Sequence, residues 1–173
     1  MSDCADEPLR ALSEAVGEAL GRRGLRLICA ESCTGGQVAA VVTETAGSSA
    51  WFDRGFVTYS NESKQEMLGV PAGVIGQQGA VSEETVRAMA SGALARSRAQ
   101  VSLAVSGIAG PGGATPGKPV GTVCFAWALS LEPLLLSSET RCFSGSREDV
   151  RRQAVRHALA GLLQRLGCDG AMP

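Results

Sequence analysis

Apolar residues recur at helical spacing near the start of the chain, at Leu9, Leu12, Val16 and Leu20. This predicts an amphipathic helix over 8–22, closed near Gly24. The next segment, 25–30, is almost continuously apolar, the pattern of a short strand covered on both faces. Residues 36–45 return to a helical pattern, and Gly47-Ser48-Ser49 interrupts it. A strand is predicted over 55–59 and a short helix over 61–68. Ser82 followed by Glu83 and Glu84 reads as an N-cap with acids in the first turn. Val86, Met89, Ala93 and Leu94 supply that helix with its apolar side. Val101, Leu103 and Val105 alternate with smaller residues, as do Val123, Phe125, Trp127, Leu129 and Leu131; both patterns predict strands. A glycine- and proline-rich loop, 107–121, lies between them. Glu132-Pro133 turns the chain into a further strand at about 134–143, and Ser146 opens a last helix carrying Val150, Ala154, Ala158, Leu162 and Leu166. Helices alternating with strands, then a late strand hairpin, predict one α/β domain over 1–173: a three-layer α/β/α sandwich with a mixed, mostly parallel sheet.

Composition narrows the function. The 173 residues are 45% hydrophobic and 19% charged, with a net charge of -1. That suits a folded core and, without a basic run, argues against nucleic acid as a partner. No apolar stretch approaches the ~20 residues of a membrane span. The acidic segment 1–7 precedes no apolar run of the kind that directs secretion, so the cytoplasm is the expected location. Cysteines at 4, 29, 33, 124, 142 and 168 include no Cys-x-x-Cys pair and read as free thiols. The one histidine, His157, reads as a partly exposed helix residue, leaving a zinc site or a histidine-based triad without material.

The chemistry concentrates at Glu31-Ser32-Cys33-Thr34-Gly35-Gly36. A hydroxyl at the end of a buried strand, before two glycines and a helix start, is well placed for a nucleophile. The helix N-terminus offers unpaired N–H groups and partial positive charge to an anion or oxyanion. Ser32 is not in a Gly-x-Ser-x-Gly elbow, since Ala30 and Thr34 hold the glycine positions. Residues 112–118 match the start of a P-loop, but Pro119 replaces the magnesium-binding hydroxyl and a strand follows. The remaining candidate bases are lysines, and only Lys64 and Lys118 exist. Lys64 lies just past Tyr59, and a lysine base must be desolvated or set beside other cations to be neutral near pH 7. Tyr59 could relay a proton or hold the serine hydroxyl. Cys33 reads as structural, because adjacent strand-end side chains point apart. Glu31 either orients the site or caps backbone groups. The loop from Gly107 to Gly113 has the glycine content of an anion nest. Arg147 at the last helix start fits an anion site or a solvated surface equally well.

Five segments then carry a resemblance: 30–36 (AESCTGG), 58–64 (TYSNESK), 79–83 (GAVSE), 106–111 (SGIAGP) and 118–123 (KPVGTV). Their order and spacing along nearly the whole chain are similar to the CinA C-terminal-domain family, in a stand-alone form. The resemblance implies an amidase that releases ammonia from nicotinamide mononucleotide, giving nicotinate mononucleotide, with no metal or cofactor and as a homodimer. It implies Ser32 as nucleophile, activated by Lys64 and Tyr59, with backbone N–H groups of Cys33, Thr34, Gly35 and Gly36 receiving the oxyanion. Ser106, Gly107, Gly110 and Arg147 would hold the rest of the substrate, Arg147 its phosphate. Two positions depart from the pattern. Ser106 stands where threonine is usual, keeping the hydroxyl, and Ser146 stands where aspartate is common, freeing Arg147 of an ion pair or altering its orientation. A nucleotide-binding regulatory module with a degenerate site, and an amidase for another small amide, are the alternative readings.

Overall fold

The computed structural model describes residues 7–130 and 133–167. Leu131, Glu132, Cys4, Cys168 and the first six residues, to which expectations were attached above, lie outside them. In chain order the elements are α1 (Glu7–Gly21), β1 (Leu27–Glu31), α2 (Gln37–Glu44), a 3-10 turn (Ser48–Ala50), β2 (Phe52–Val57), α3 (Asn61–Leu68), α4 (Ala72–Gln78), α5 (Glu83–Ala95), β3 (Val101–Gly107), β4 (Thr122–Leu129), β5 (Leu135–Cys142) and α6 (Arg147–Arg165).

The five strands form one sheet in the order β2-β1-β3-β4-β5. β1 runs parallel to both β2 and β3, while β4 is antiparallel to β3 and to β5. Only β4 therefore opposes the rest, and the mixed, mostly parallel sheet is as expected. The chain leaves β1 for β2 on one side, then returns to place β3 on the other. That reversal opens a crevice at the carboxyl ends of β1 and β3, where ligands bind in open α/β sheets.

Side-chain alternation along the strands fills two cores. Leu27, Cys29, Leu103, Val105, Phe125 and Trp127 face α1, α2 and α6. Ile28, Ala30, Ala104, Ala126 and Ala128 face α5 and the residues following α3. The large side chains on the first face need room from the helix above. Gly161 supplies it inside α6, since a Cβ there would lie 2.4 Å from the Trp127 ring, whose Nε1 donates to the Ala158 carbonyl at 2.9 Å. On the second face Gly92 of α5 does the same for the end of α3.

Two sequence expectations change. β2 begins at Phe52 and ends at Val57, so Thr58 and Tyr59 lie beyond the strand and are free to shape a loop. α4 was not expected. Its two glycines weaken helix propensity, and burial of Ile75 against the α5 face holds it instead. Both helix starts read from serine are present. Ser82 accepts from the Thr85 N–H at 3.2 Å. Ser146 accepts from the Asp149 N–H at 3.2 Å while the Asp149 carboxylate accepts from the Ser146 N–H at 2.8 Å, a complete capping box.

Candidate active site

β1 ends in a buried carboxylate. Glu31, 1% exposed, turns back over the start of α2 and accepts from the N–H groups of Gly36 at 3.0 Å, Val38 at 3.1 Å and Ala39 at 2.9 Å. Of its two sequence roles, capping is the one built. The same contacts correct the reading of α2's N-terminus as an open anion site, since the protein's own carboxylate occupies it. Gly35 and Gly36, at φ 60° and 96°, give the left-handed turn that lets the chain double over that carboxylate.

Ser32 follows, its N–H donating to the Val105 carbonyl at 2.9 Å, which pins it to the end of β3. Its hydroxyl meets Lys64. The Lys64 Nζ lies 3.0 Å from Ser32 Oγ and donates to the Thr58 carbonyl at 2.7 Å, with the Tyr59 and Ser60 carbonyls at 3.4 and 3.5 Å. α3 makes this contact possible: Ser60 caps it by accepting from the Ser63 N–H, and Lys64 points inward from its first turns. Lys64 is 1% exposed and has no carboxylate within ion-pair distance among the described residues. Burial lowers its pKa from the ordinary lysine value; a Cys33 thiolate would raise it again. No such thiolate exists near neutrality, because burial pushes the Cys33 thiol up to about 12. The Cys33 side chain points into the α1/α2/α6 core, opposite to Ser32, which fits a structural thiol.

Beside Ser32 and Lys64 lies a cleft of about 180 Å³, bordered further by Tyr59, Val81, Ser106 and Arg147. Arg147 donates from Nη1 to the Gly110 carbonyl at 2.7 Å and from Nη2 to Tyr59 Oη at 3.1 Å. The Tyr59 phenol, on a residue 62% exposed, is therefore turned to Arg147, and no hydrogen bond joins it to Ser32. Ser106 borders the cleft, with its hydroxyl donated to the Ala80 carbonyl at 2.7 Å, so it anchors the loop before α5. Gly107 closes β3 against Val123, and Gly110 adopts φ 87° in the loop beyond. The expected oxyanion donors divide. The Gly35 N–H is held by the Ser32 carbonyl at 3.1 Å and the Gly36 N–H by Glu31, which leaves the N–H groups of Cys33 and Thr34. Thr34 is fully buried and Cys33 borders the cleft.

Lys118 donates to the Gln78 carbonyl at 2.8 Å, and β4, not a helix, follows its loop. His157 pairs with Glu139 of β5 and packs on Phe125, away from Ser32. Four cysteines, Cys29, Cys33, Cys124 and Cys142, are free thiols. Among the described residues no group of three or more His, Cys, Asp or Glu is placed to hold a metal, and no helix is long and apolar enough to cross a membrane.

One residue escaped the sequence reading. Arg151 donates to the Cys33 carbonyl at 3.1 Å and the Thr34 carbonyl at 2.9 Å. Its four-residue spacing from Arg147 puts both on one face of α6, and that spacing was the available signal.

Residues 9–166 match the family described as the CinA C-terminal domain. The chain belongs to that family. It is 55% identical over 159 residues to the nicotinamide-nucleotide amidohydrolase PncC of Escherichia coli (strain K12), covering 92% of this chain and 95% of that one. It is 52% identical over 158 residues to the protein of the same name from Pseudomonas putida, covering 91% and 97%. The crystal structure of competence damage-inducible protein A from Klebsiella pneumoniae superposes with a TM-score of 0.88 at 43% identity, over 92% of this chain and 97% of that one. The two chains thus share one fold over nearly their whole length.

Proposed function

We propose that the protein hydrolyses the amide of nicotinamide mononucleotide, giving nicotinate mononucleotide and ammonia through a Ser32 acyl-enzyme. The observation that carries this reading is the buried Lys64 Nζ, 3.0 Å from Ser32 Oγ, at the end of β1. The names of the Escherichia coli and Pseudomonas putida relatives support the substrate.

Neutral Lys64 keeps an N–H on the Thr58 carbonyl and turns its lone pair to the serine O–H. It takes that proton as Oγ bonds to the amide carbon, and the carbonyl electrons move onto oxygen. The Cys33 N–H faces the position of this oxyanion. Collapse re-forms the carbonyl and breaks the C–N bond, and Lys64 returns its proton to the departing nitrogen, which leaves as ammonia. Water then attacks the ester carbon and gives a proton to Lys64; collapse breaks the carbon–Oγ bond, Lys64 passes that proton to Oγ, and the acid product leaves as its carboxylate with its proton lost to solvent.

The cleft is smaller than the ~300–1,000 Å³ of whole-ligand pockets. It suits the pyridine ring, and the ribose phosphate lies along the rim at Arg147, whose guanidinium has no carboxylate partner among the described residues. Tyr59 sets the guanidinium's direction. A homodimer in the cytoplasm belongs to the same reading: Leu134 and Leu135, 48% and 52% exposed beside the edge strand β5, offer apolar surface to a second copy. Ammonia release from nicotinamide mononucleotide by the purified protein tests the activity. No release between roughly pH 6 and 9, a range spanning plausible lysine shifts, would reject it.

A further inference from the structure

Arg151 spends its guanidinium on two backbone carbonyls, those of Cys33 and Thr34, within the turn that follows the nucleophile. No carboxylate lies within ion-pair distance of it among the described residues, so its charge is not neutralised by a side chain. The flanking peptide is fixed as well, because the Ser32 carbonyl accepts from the Gly35 N–H at 3.1 Å. The carbonyl on each side of Cys33 is thus tied, one to the turn and one to Arg151. In a trans peptide the N–H points opposite to its carbonyl. The Thr34 carbonyl that Arg151 holds shares its peptide with the Gly35 N–H, which donates to the Ser32 carbonyl; that carbonyl shares its peptide with the Cys33 N–H, which meets no acceptor among the described residues and lies beside Ser32 at the cleft. The contact is close: a Cβ at Gly35 would lie 3.5 Å from Arg151 Nη2. The cation also acts on charge at this spot, since its field lowers the pKa of the Cys33 thiol against the larger upward push of burial.

We propose that Arg151 is a positioning residue for the oxyanion: by holding the Thr34 carbonyl it fixes the peptide whose N–H, that of Gly35, ties the Ser32 carbonyl, and so aims the Cys33 N–H at the developing negative charge. This rests on the acyl-enzyme reading above. Two carbonyl dipoles in a tight turn beside an oxyanion would oppose it if they could swing inward. A guanidinium with a rigid fork of donors prevents that and adds a positive field. Lysine offers a point charge without the fork, so it restores part of the effect.

The test compares wild type with Arg151→Met and Arg151→Lys. Nicotinamide mononucleotide serves as substrate, nicotinate mononucleotide as ground-state ligand and 3-pyridylboronic acid as tetrahedral mimic. The boronic acid forms a bond from boron to Ser32 Oγ, the serine proton passes to Lys64, and no bond to carbon breaks. Loss of a single oxyanion donor lowers kcat by ~10²–10³, and a misaimed donor is expected to cost about 10–100-fold in Arg151→Met. KM and product affinity should hold within about twofold, while boronate affinity falls by the same factor as kcat, the split that marks transition-state binding. Arg151→Lys should fall between. Unchanged kcat, or product and boronate affinities falling together, would overturn the proposal and leave Arg151 as a brace for α6. If Arg151→Met fails to fold, Arg151→Lys carries the same comparison. A wild type that binds boronate through Ser32 but releases no ammonia defeats the substrate assignment alone, and the boronate ratio still judges Arg151. Neither ammonia release nor boronate binding by wild type would sink both.

Discussion

A Cβ at Gly92 would lie 2.0 Å from the main-chain oxygen of Leu68. Leu68 ends α3, the helix that carries Lys64, so a bare backbone on α5 sets how near the base can come to the nucleophile. Gly92→Ala must push α3 outward. Overpacking of this kind costs about 1–3 kcal/mol, which a melting curve will register. Because the Lys64–Ser32 contact is a single 3.0 Å link, the variant should also lose kcat well beyond its loss of folded protein. Equal losses would show that α3 is free to adjust.

Lys64→Met separates chemistry from stability. Proton transfer by a positioned side chain is worth ~10²–10⁴-fold, and turnover should fall by that order. Stability should not fall in step, because a buried cation with no carboxylate partner gives way to an apolar chain of similar length. The pH behaviour follows from the sign of the shift. Burial lowers the Lys64 pKa in the folded state, so between the folded and unfolded values the unfolded chain holds more protons and stability rises with pH. Activity rises over the lower limb of the same titration, as neutral Lys64 appears. In Lys64→Met both slopes should vanish, which calorimetry and a pH–rate profile can check.

Arg147→Met should raise KM for nicotinamide mononucleotide with a smaller change in kcat. Charge-assisted hydrogen bonds to a bound anion are worth about 1.5–3 kcal/mol, or one to two decades in KM. A phosphate-free nicotinamide riboside should bind both proteins alike. If the riboside suffers equally, Arg147 serves the loops and not the phosphate.

Glu139 is expected to contribute to acid stability. Burial raises its pKa, but the hydrogen bond and charge of His157, with Arg141 and Arg165 nearby, hold it below the ordinary glutamate value. A depressed carboxylate contributes stability that is present above the unfolded pKa and lost as pH falls through the folded one. Glu139→Gln should therefore flatten the melting-temperature profile below the ordinary glutamate pKa while leaving catalysis, at the carboxyl ends of β1 and β3, untouched. A parallel profile would remove Glu139 from the acid transition.

Much of this was legible in the chain, and for identifiable reasons. Period-two and period-3.6 patterns follow directly from burial on one face, so β1, β3, β4 and the serine-capped helices were readable. α4 was not, because its glycines argue against a helix and only tertiary burial of Ile75 favours one. Lys64 could be named by the scarcity of lysines, but its reach to Ser32 across the fold depends on Gly92 and the Thr58 carbonyl, which no local pattern encodes. The N-terminus of α2 was misread as vacant because Glu31 stands before the turn and folds back over it. The resemblance pairs Tyr59 with Ser32, whereas its hydroxyl accepts from Arg147, 88 positions later.

The face of α6 that carries Arg147 and Arg151 reaches loops following β1, β2 and β3. During synthesis the nucleophile and its base emerge long before this helix does. Until α6 docks, the chain lacks the two guanidiniums that gather the three loops. The loops after β1, β2 and β3 are thus drawn together only when α6 is seated on them.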